Sequence, residues 1–356
     1  MIPTLNSLTP SKHQAAGHDG CLATDSLFIK LTVQQEIDFY TQVQLHDQSV
    51  QDAPLGSQLS HWMPTFMGTL TQGDVSKTQT AGLDQLSSAE GQTDKQYIVL
   101  LNSYHGFTHP SILDIKLGAK LTDDEVTAPE KIARLQKVSD STTSGSLNFR
   151  ICGMKVYNGK SDAKPANELY ENMNDSSVSV NINDADDHKY LEFNKFYGRS
   201  LSKDNIKEGL ELYFNTHLPK AIIKRLLIVF HKRLQLLYNC LLDYEVRIFS
   251  GSLLFIYESD LTKWENVTED NYETFDPLVR EMVEDEDVDE DESEDDEEVE
   301  EDSKKDKTQP LTPLSSLNFI DFAHAKFVEG QGHDENIVQG IENLIDIFNA
   351  LIAKYD

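Results

Sequence analysis

Asp114 and Lys116 stand two positions apart in the stretch Pro110-Ser-Ile-Leu-Asp-Ile-Lys-Leu-Gly118. In an extended segment such residues point to the same side, so a carboxylate and an ammonium would face one cleft while Leu113, Ile115 and Leu117 pack behind. The pair suits phosphoryl transfer. The carboxylate takes the proton from, or orients, an attacking hydroxyl, and the ammonium neutralises oxygens on the moving group. An ion pair at a strand edge has the same spacing, so the spacing alone does not decide. Other residues carry related chemistry. Lys30 lies near the end of the apolar run Ser26-Leu-Phe-Ile-Lys-Leu31, and Glu36 lies in the first turns of the helix expected next. A strand lysine that pairs with a helix glutamate and reaches nucleotide phosphates is the kinase arrangement, with a plain surface ion pair as the alternative. Asp321 lies among Phe319, Ile320 and Phe322. A charge so flanked needs a strong partner: either a Mg²⁺ ion bridging nucleotide phosphates or backbone amides. Lys131, Arg134 and Lys137 recur every three residues, each step turning about 60° backward on a helix. They form either a solvated basic edge or a surface for anionic phosphates.

The elements that must position these groups follow from pattern. Val33 to Leu45 is expected to be an amphipathic helix with Ile37, Tyr40 and Gln44 along one stripe. Trp62 to Gly68 is expected to be strand, and Gln72 to Lys95, rich in Gly, Ser, Thr and Gln, a loop between strands. Tyr97 to Leu101 is a continuous apolar run, the mark of a central buried strand. Ala128 to Val138 is expected to be a helix with Pro129 in its first turn. Ser146 to Tyr157 alternates as a strand, with Arg150, Cys152 and Met154 expected on one side. Asn158 to Lys189 is a polar insert, followed by helices over Asp204 to Asn215 and Pro219 to Leu242. The second of these is apolar around much of its circumference and should be the main core helix. Arg247 to Tyr257 is expected to be a turn and buried strand, and Asp334 to Tyr355 a closing amphipathic helix.

The P-x-x-x-D-x-K-x-G form of Pro110 to Gly118 resembles the signature of the inositol polyphosphate kinase family. Further segments match in order: Ala16-Gly-His-Asp-Gly20, Glu36-Ile-Asp-Phe-Tyr40, Ser144 to Met154, Tyr197-Gly-Arg-Ser200, Ser252 to Glu258 and Ile320-Asp-Phe-Ala-His324. The resemblance covers most of the chain and is nearest to the family's fungal multikinase branch. It implies an α+β fold of two lobes, protein-kinase-like, with ATP between them. Residues 1–101 would form a small antiparallel-sheet lobe with one helix, and residues 102–356 a larger mixed lobe. It also implies ATP- and Mg²⁺-dependent phosphorylation of inositol trisphosphate and tetrakisphosphate to the pentakisphosphate. Within it, Asp114 and Lys116 carry the chemistry, Lys30 and Glu36 serve the ATP phosphates, and Asp321 holds the metal in an Asp-Phe-Gly-like element with Ala323 in place of Gly. Lys116, Lys131, Arg134, Lys137 and His324 would face the inositol phosphate. Leu101 and Asn102 occupy the hinge where Glu followed by Asp or Asn is usual. A backbone contact to adenine survives that change, and Asn102 can still bond a ribose hydroxyl. Inositol hexakisphosphate kinases share several of these elements and are the rival within the family. Fungal family members are associated with transcription alongside MADS-box factors, which implies nucleus and cytoplasm as locations.

The formal charge is −30, yet Glu281 to Asp302 alone holds 17 acids and no base, leaving −13 elsewhere. Such a run cannot bury enough apolar surface to offset chain entropy, so 281–310 is expected to be a disordered insert. It is either a solvated spacer or a contact for basic nuclear proteins, which gives a second, non-enzymatic reading as an interaction protein. Direct nucleic-acid binding is disfavoured because the field repels phosphate. Three widely spaced cysteines, Cys21, Cys152 and Cys240, give neither a disulfide framework nor a zinc spacing and fit a reducing compartment. No secretory signal is expected at the start, and the apolar region Ala221 to Leu242 is broken by five basic residues, so membrane insertion is not expected. Excising Glu281 to Asp302 should leave kcat and the thermal midpoint nearly unchanged. Steady-state kinetics and a thermal melt check this, and a large loss in either would mean that the tract packs on the fold.

Overall fold

The computed structural model describes residues 9–11, 21–50, 52–71, 96–162, 164, 178–182, 187–214, 217–280 and 313–355. The matching segment Ala16 to Gly20, the whole of the expected loop over 72–95 and the acidic insert at 281–310 lie outside these residues.

Short apolar runs separated by turns pair into two antiparallel sheets. The smaller contains β1 (Thr9–Pro10), β2 (Leu22–Ala23), β3 (Leu27–Thr32), β4 (Phe66–Thr71) and β5 (Gln96–Leu101), in the order β1-β2-β3-β5-β4. Tyr97 to Leu100 are buried in β5, which bonds to β3 and β4 on its two sides, as a continuous apolar run requires. Helix α1 (Gln34–Gln48) buries Ile37, Tyr40 and Val43. The larger sheet contains β6 (Pro110–Leu117), β7 (Phe149–Tyr157), β8 (Val178–Ile182), β9 (Lys189–Phe193), β11 (Ser252–Glu258) and β12 (Ser315–Ile320), in the order β12-β11-β6-β7-β9-β8. A two-stranded ribbon joins β10 (Val246–Ile248) to β13 (Ala325–Phe327). The fold is therefore the two-lobed α+β architecture expected.

β6 is not an edge strand; it lies between β11 and β7. Its Leu113, Ile115 and Leu117 face the main core with Leu253, Phe255 and Phe319. Helices α2 (Pro129–Asp140), α3 (Thr143–Leu147), α4 (Lys220–Leu242) and α5 (Glu335–Lys354) surround the larger sheet. The last two meet beneath it, where Phe255 lies 5.2 Å from Phe230 of α4 and 5.7 Å from Phe348 of α5. The opposite face of β6 is thinner: Ile112 packs with Leu254 and Ile256 in a small separate cluster.

Two local expectations fail for identifiable reasons. Trp62 lies not in a strand but in a 3₁₀ turn over Leu59–Trp62, its indole donating to the Gly56 carbonyl at 2.9 Å. Pro64 cannot donate to a ladder, so β4 starts only at Phe66. Ser146 and Leu147 belong to α3, which Asn148 ends in a left-handed conformation (φ 54°), so β7 starts at Phe149. Within β7 a bulge sets Asp114 opposite Gly153 and Ile115 opposite Ile151, leaving Cys152 unpaired. The extra residue resets the alternation, so Arg150 stays opposite Lys116 while Met154 turns into the core.

The strand that delivers Asp321 is pinned at its other end. Arg233 of α4, almost wholly buried, donates to the Ser315 hydroxyl (2.6 Å), the Leu278 carbonyl (3.0 Å) and the Asp276 carboxylate (3.2 Å). Asp276 also accepts from the Ser315 amide at 3.0 Å. Arg233→Met should destabilise the protein by about 3–5 kcal/mol, because Asp276 is left as a buried charge without its main partner. Urea unfolding tests this, and a loss under about 1 kcal/mol would mean that Asp276 finds water.

Candidate active site

The smaller sheet and the larger one meet at a charged cluster. Lys30 lies in β3 opposite the buried Ile98, and α1 follows closely enough to bring Glu36 back beside it. The Lys30 ammonium lies 2.9 Å from Glu36 Oε1 and 2.9 Å from Asp321 Oδ1. Burial works against this cation, but Asp321 and Glu36 outweigh it and hold its pKa above the ordinary lysine range. Glu36 is buried and saturated: it also accepts from the Phe322 amide at 3.0 Å and from the Thr32 hydroxyl. The neighbouring Phe322 ring stacks on Phe39 of α1 at 5.1 Å and meets Tyr40 edge-on at 5.4 Å. Asp321 follows the end of β12 in a left-handed conformation (φ 67°), which Asp tolerates better than most residues. This backbone reversal accompanies the meeting of its carboxylate with Lys30.

Two cavities open on either side of this cluster. One is a slot of about 690 Å³ between the sheets, lined mainly by apolar groups such as Phe28, Leu100, Leu254 and Ile320. Lys30, Asp114 and Asp321 are its charged groups. The other, about 1970 Å³, is lined by Lys116, Lys131, Arg134 and His324 among others. Lys30 and Asp321 line both. Asp114 and Lys116 thus stand on one face of β6 but open onto different cavities, one beside the other.

Asp114 is buried, and its Oδ1 has no hydrogen-bond partner. Burial pushes its carboxyl up to about 7 and Asp321 adds to the rise, while Lys116 and Arg150 oppose it. Lys116 makes no direct ion pair with Asp114 among those within 4.0 Å; its ammonium donates to the Ser250 carbonyl. Ser250 is in a left-handed turn (φ 59°) between β10 and β11, and its hydroxyl donates to the Leu121 carbonyl at 3.0 Å. Arg150 is buried and donates to the Ser144 hydroxyl at 2.7 Å, tying β7 to α3.

Among the basic helix residues, Lys131 and Arg134 line the larger cavity, whereas Lys137 is exposed outside its lining. Six residues correspond to about 120° of rotation away from Lys131, which takes Lys137 off that face. His324 is half-buried there, and burial, helped by Lys131 and Lys116, holds its imidazole below the usual histidine range. At the hinge, Leu101 and Asn102 line the slot, but Asn102 is not arranged as a ribose ligand. Its amide nitrogen donates to the Thr24 and Asp25 carbonyls at 3.1 Å each, and its oxygen accepts from the Tyr104 amide at 3.1 Å. It holds the hinge turn instead. Tyr104, Thr32 and Ser250 were not singled out from the sequence. No spacing marks Tyr104 and Ser250, because each acts through a turn that the assembled sheets define, while Thr32 ends β3 and meets Glu36 four residues on.

Among the described residues no group of three or more His, Cys, Asp and Glu side chains is arranged to hold a metal ion. A divalent cation would therefore rely on Asp321 together with phosphate oxygens, which fits a hard cation held by one carboxylate and a nucleotide. Nor is any helix among these residues long and apolar enough to cross a membrane.

Comparison with known proteins bears on this arrangement. Residues 97–349 match the family model described as inositol polyphosphate kinase. The inositol polyphosphate multikinase of Saccharomyces cerevisiae is 41% identical over 98% of this chain and 99% of its own length. Human inositol hexakisphosphate kinase 1 is 26% identical over 72% of this chain and 52% of its own length. The crystal structure of inositol phosphate multikinase Ipk2 from S. cerevisiae, in complex with ADP and Mn²⁺, superimposes with a TM-score of 0.65 at 36% identity, covering 92% of this chain and 99% of that one. With a family match over most of its length and a relative this similar from end to end, the chain belongs to the inositol polyphosphate kinase family and is a kinase.

Proposed function

We propose that the chain transfers the γ-phosphoryl group of ATP, with Mg²⁺, to inositol trisphosphate and tetrakisphosphate, giving the pentakisphosphate. The observation that carries this is the pair of cavities sharing Lys30 and Asp321: a narrow apolar slot suited to a purine and a wide basic basin suited to a polyphosphate. The multikinase similarity over nearly the whole chain, against a partial one to a hexakisphosphate kinase, favours trisphosphate and tetrakisphosphate over pyrophosphate formation.

In this reading Lys30 orients the nucleotide phosphates, with Glu36 holding the lysine in place. Mg²⁺, when bound at Asp321, would neutralise charge on the β- and γ-phosphates. Asp114 accepts the proton of the attacking hydroxyl; a carboxylate poised near neutrality suits that task. Lys116 exchanges the Ser250 carbonyl for an oxygen of the moving phosphoryl group. Lys131 and Arg134 hold other phosphates of the substrate, and neutral His324 is able to accept from a ring hydroxyl. The acidic tract, in the same proposal, contacts basic nuclear proteins, MADS-box factors among them, in the nucleus as well as the cytoplasm. Pull-downs with the tract excised test that part separately.

Turnover of a panel of inositol phosphates with ATP and Mg²⁺, with products separated by chromatography, tests the main reading. Efficient pyrophosphate formation from the hexakisphosphate would favour the rival instead. Asp114→Asn should lower kcat strongly with little change in either KM, because a base acts mainly in the transition state. Lys131→Ala or Arg134→Ala should raise KM for the inositol phosphate by about 10- to 150-fold, the worth of one charge-assisted hydrogen bond, without moving KM for ATP. An effect of Asp114→Asn on KM for ATP alone would make Asp114 a nucleotide ligand.

Asp114 also links function to stability. Its carboxyl keeps a proton up to about 7 in the folded chain against an ordinary value of 3.8, so between these pH values the folded state binds more protons than the unfolded state. Stability should therefore fall as pH rises through this window. Asp114→Asn lacks the penalty and should gain on the wild type across it, by about 4 kcal/mol at most. Denaturant unfolding at pH 4.5 and pH 8 without nucleotide or metal checks this, and an equal difference at both pH values would count against it.

A further inference from the structure

The segment between the catalytic strand and the basic helix, residues 118–128, has little regular structure of its own, yet side chains from distant parts of the chain grip it. The tightest grip comes from Asn336 in the first turn of α5. Its Oδ1 accepts from the Ala119 amide at 2.8 Å and the Lys120 amide at 2.9 Å, and its Nδ2 donates to the Lys120 carbonyl at 3.0 Å. One side-chain amide thus takes the place of a neighbouring strand. Asn336 is itself fixed: its amide donates to Asp334, and its carbonyl accepts from Asn148 at 3.3 Å. Gly118 explains the close fit. It has φ +91°, and a Cβ there would come within 2.4 Å of Asn336 Nδ2. The last glycine of the signature therefore makes room for this contact.

Further ties follow along the segment. The Ser139 hydroxyl, from the far end of α2, donates to the Ala119 carbonyl at 2.7 Å, and the Ser250 hydroxyl holds Leu121. Asp123 pairs with Lys326 at 2.7 Å. Upstream of the segment lies Lys116, and downstream lie Lys131 and Arg134; all three line the same basin. The segment fixes how far the phosphate-holding helix stands from the transferring lysine.

We infer that Asn336 is a positioning residue that sets the register of the inositol ring, and so decides which hydroxyl is presented for transfer. This rests on the substrate reading given above. A ring with several similar hydroxyls can be turned by one position at small cost in contacts. Discrimination among them therefore depends on a fixed distance between the groups holding its phosphates and the group receiving the transfer.

The test uses the full chain and inositol trisphosphate. Asn336→Ala should raise KM for the inositol phosphate by about tenfold, the loss of hydrogen bonds without a charge, leave KM for ATP within about twofold, and change the ratio of positional isomers among the products. Asn336→Asp keeps the acceptor for Ala119 and Lys120 but sets a carboxylate oxygen against the Lys120 carbonyl, so it should shift the isomer ratio in the same direction as Asn336→Ala and by less. Ser139→Ala, a small change at a separate tie, should shift the ratio in the same direction and serves if Asn336→Ala does not fold. An unchanged isomer ratio in a folded variant, or equal shifts in both KM values, would overturn the inference while leaving the kinase reading intact. Absence of turnover by the wild type would overturn both.

Discussion

One cation holds the two halves of the site together. Lys30 lies between Glu36 and Asp321, which come from helix α1 and from the end of β12 almost three hundred residues away. Without the ammonium the two carboxylates would be brought together at short range in partly desolvated surroundings, where like charges repel strongly. The Phe322 amide on Glu36 and the Phe322 ring against Phe39 and Tyr40 pull in the same direction. Hence the meeting of α1 with the end of β12, which separates the two cavities, depends on one charge balance together with this aromatic packing. In the proposed reading a nucleotide enters this balance directly, since its phosphates compete for the same lysine.

What the sequence disclosed, and what it concealed, follows from the range of the forces involved. Alternating and continuous apolar runs are local signals, and they located β3, β5, β6, β11 and the helices α1, α4 and α5 closely. The Asp114–Lys116 spacing correctly placed both on one face of β6, with Leu113, Ile115 and Leu117 behind. It could not reveal that the strand is central, nor that the two side chains open onto different cavities, because both depend on which strands pair. Arg150 and Met154 parted because a single bulge residue changes the alternation without altering composition. Asn102 was legible as a hinge residue, but its commitment to Thr24 and Asp25 arises from a turn distant in sequence. Lys137 lies outside the basin's lining for a geometric reason: a three-residue step drifts around a helix. The family signature, by contrast, located the charged cluster, since it marks chain segments that meet only after folding.

The electrostatic organisation runs counter to the overall composition. A chain with formal charge −30 presents a basin in which Lys116, Lys131 and Arg134 face inward. At physiological salt, charges beyond about 8 Å are largely screened, so an anionic ligand inside the basin responds mainly to these nearby cations. The acidic body affects the approach of such a ligand and the basin affects its residence.

The buried ties of Arg233 to Ser315 and Asp276 stand immediately outside the span 281–312, with Arg280 3.6 Å from Asp276 on one side and the Leu314 carbonyl bonded to Glu258 on the other. The chain leaves this point and returns to it already anchored. The entropy of closing a flexible loop in general grows slowly, by about 0.6 kcal/mol for each doubling of length. The strand leading to Asp321 is therefore held at its start by contacts that lie on either side of the span rather than within it. With both flanks tied to the same buried arginine cluster, the junction is a place where a reporter domain could be grafted into the middle of an enzyme.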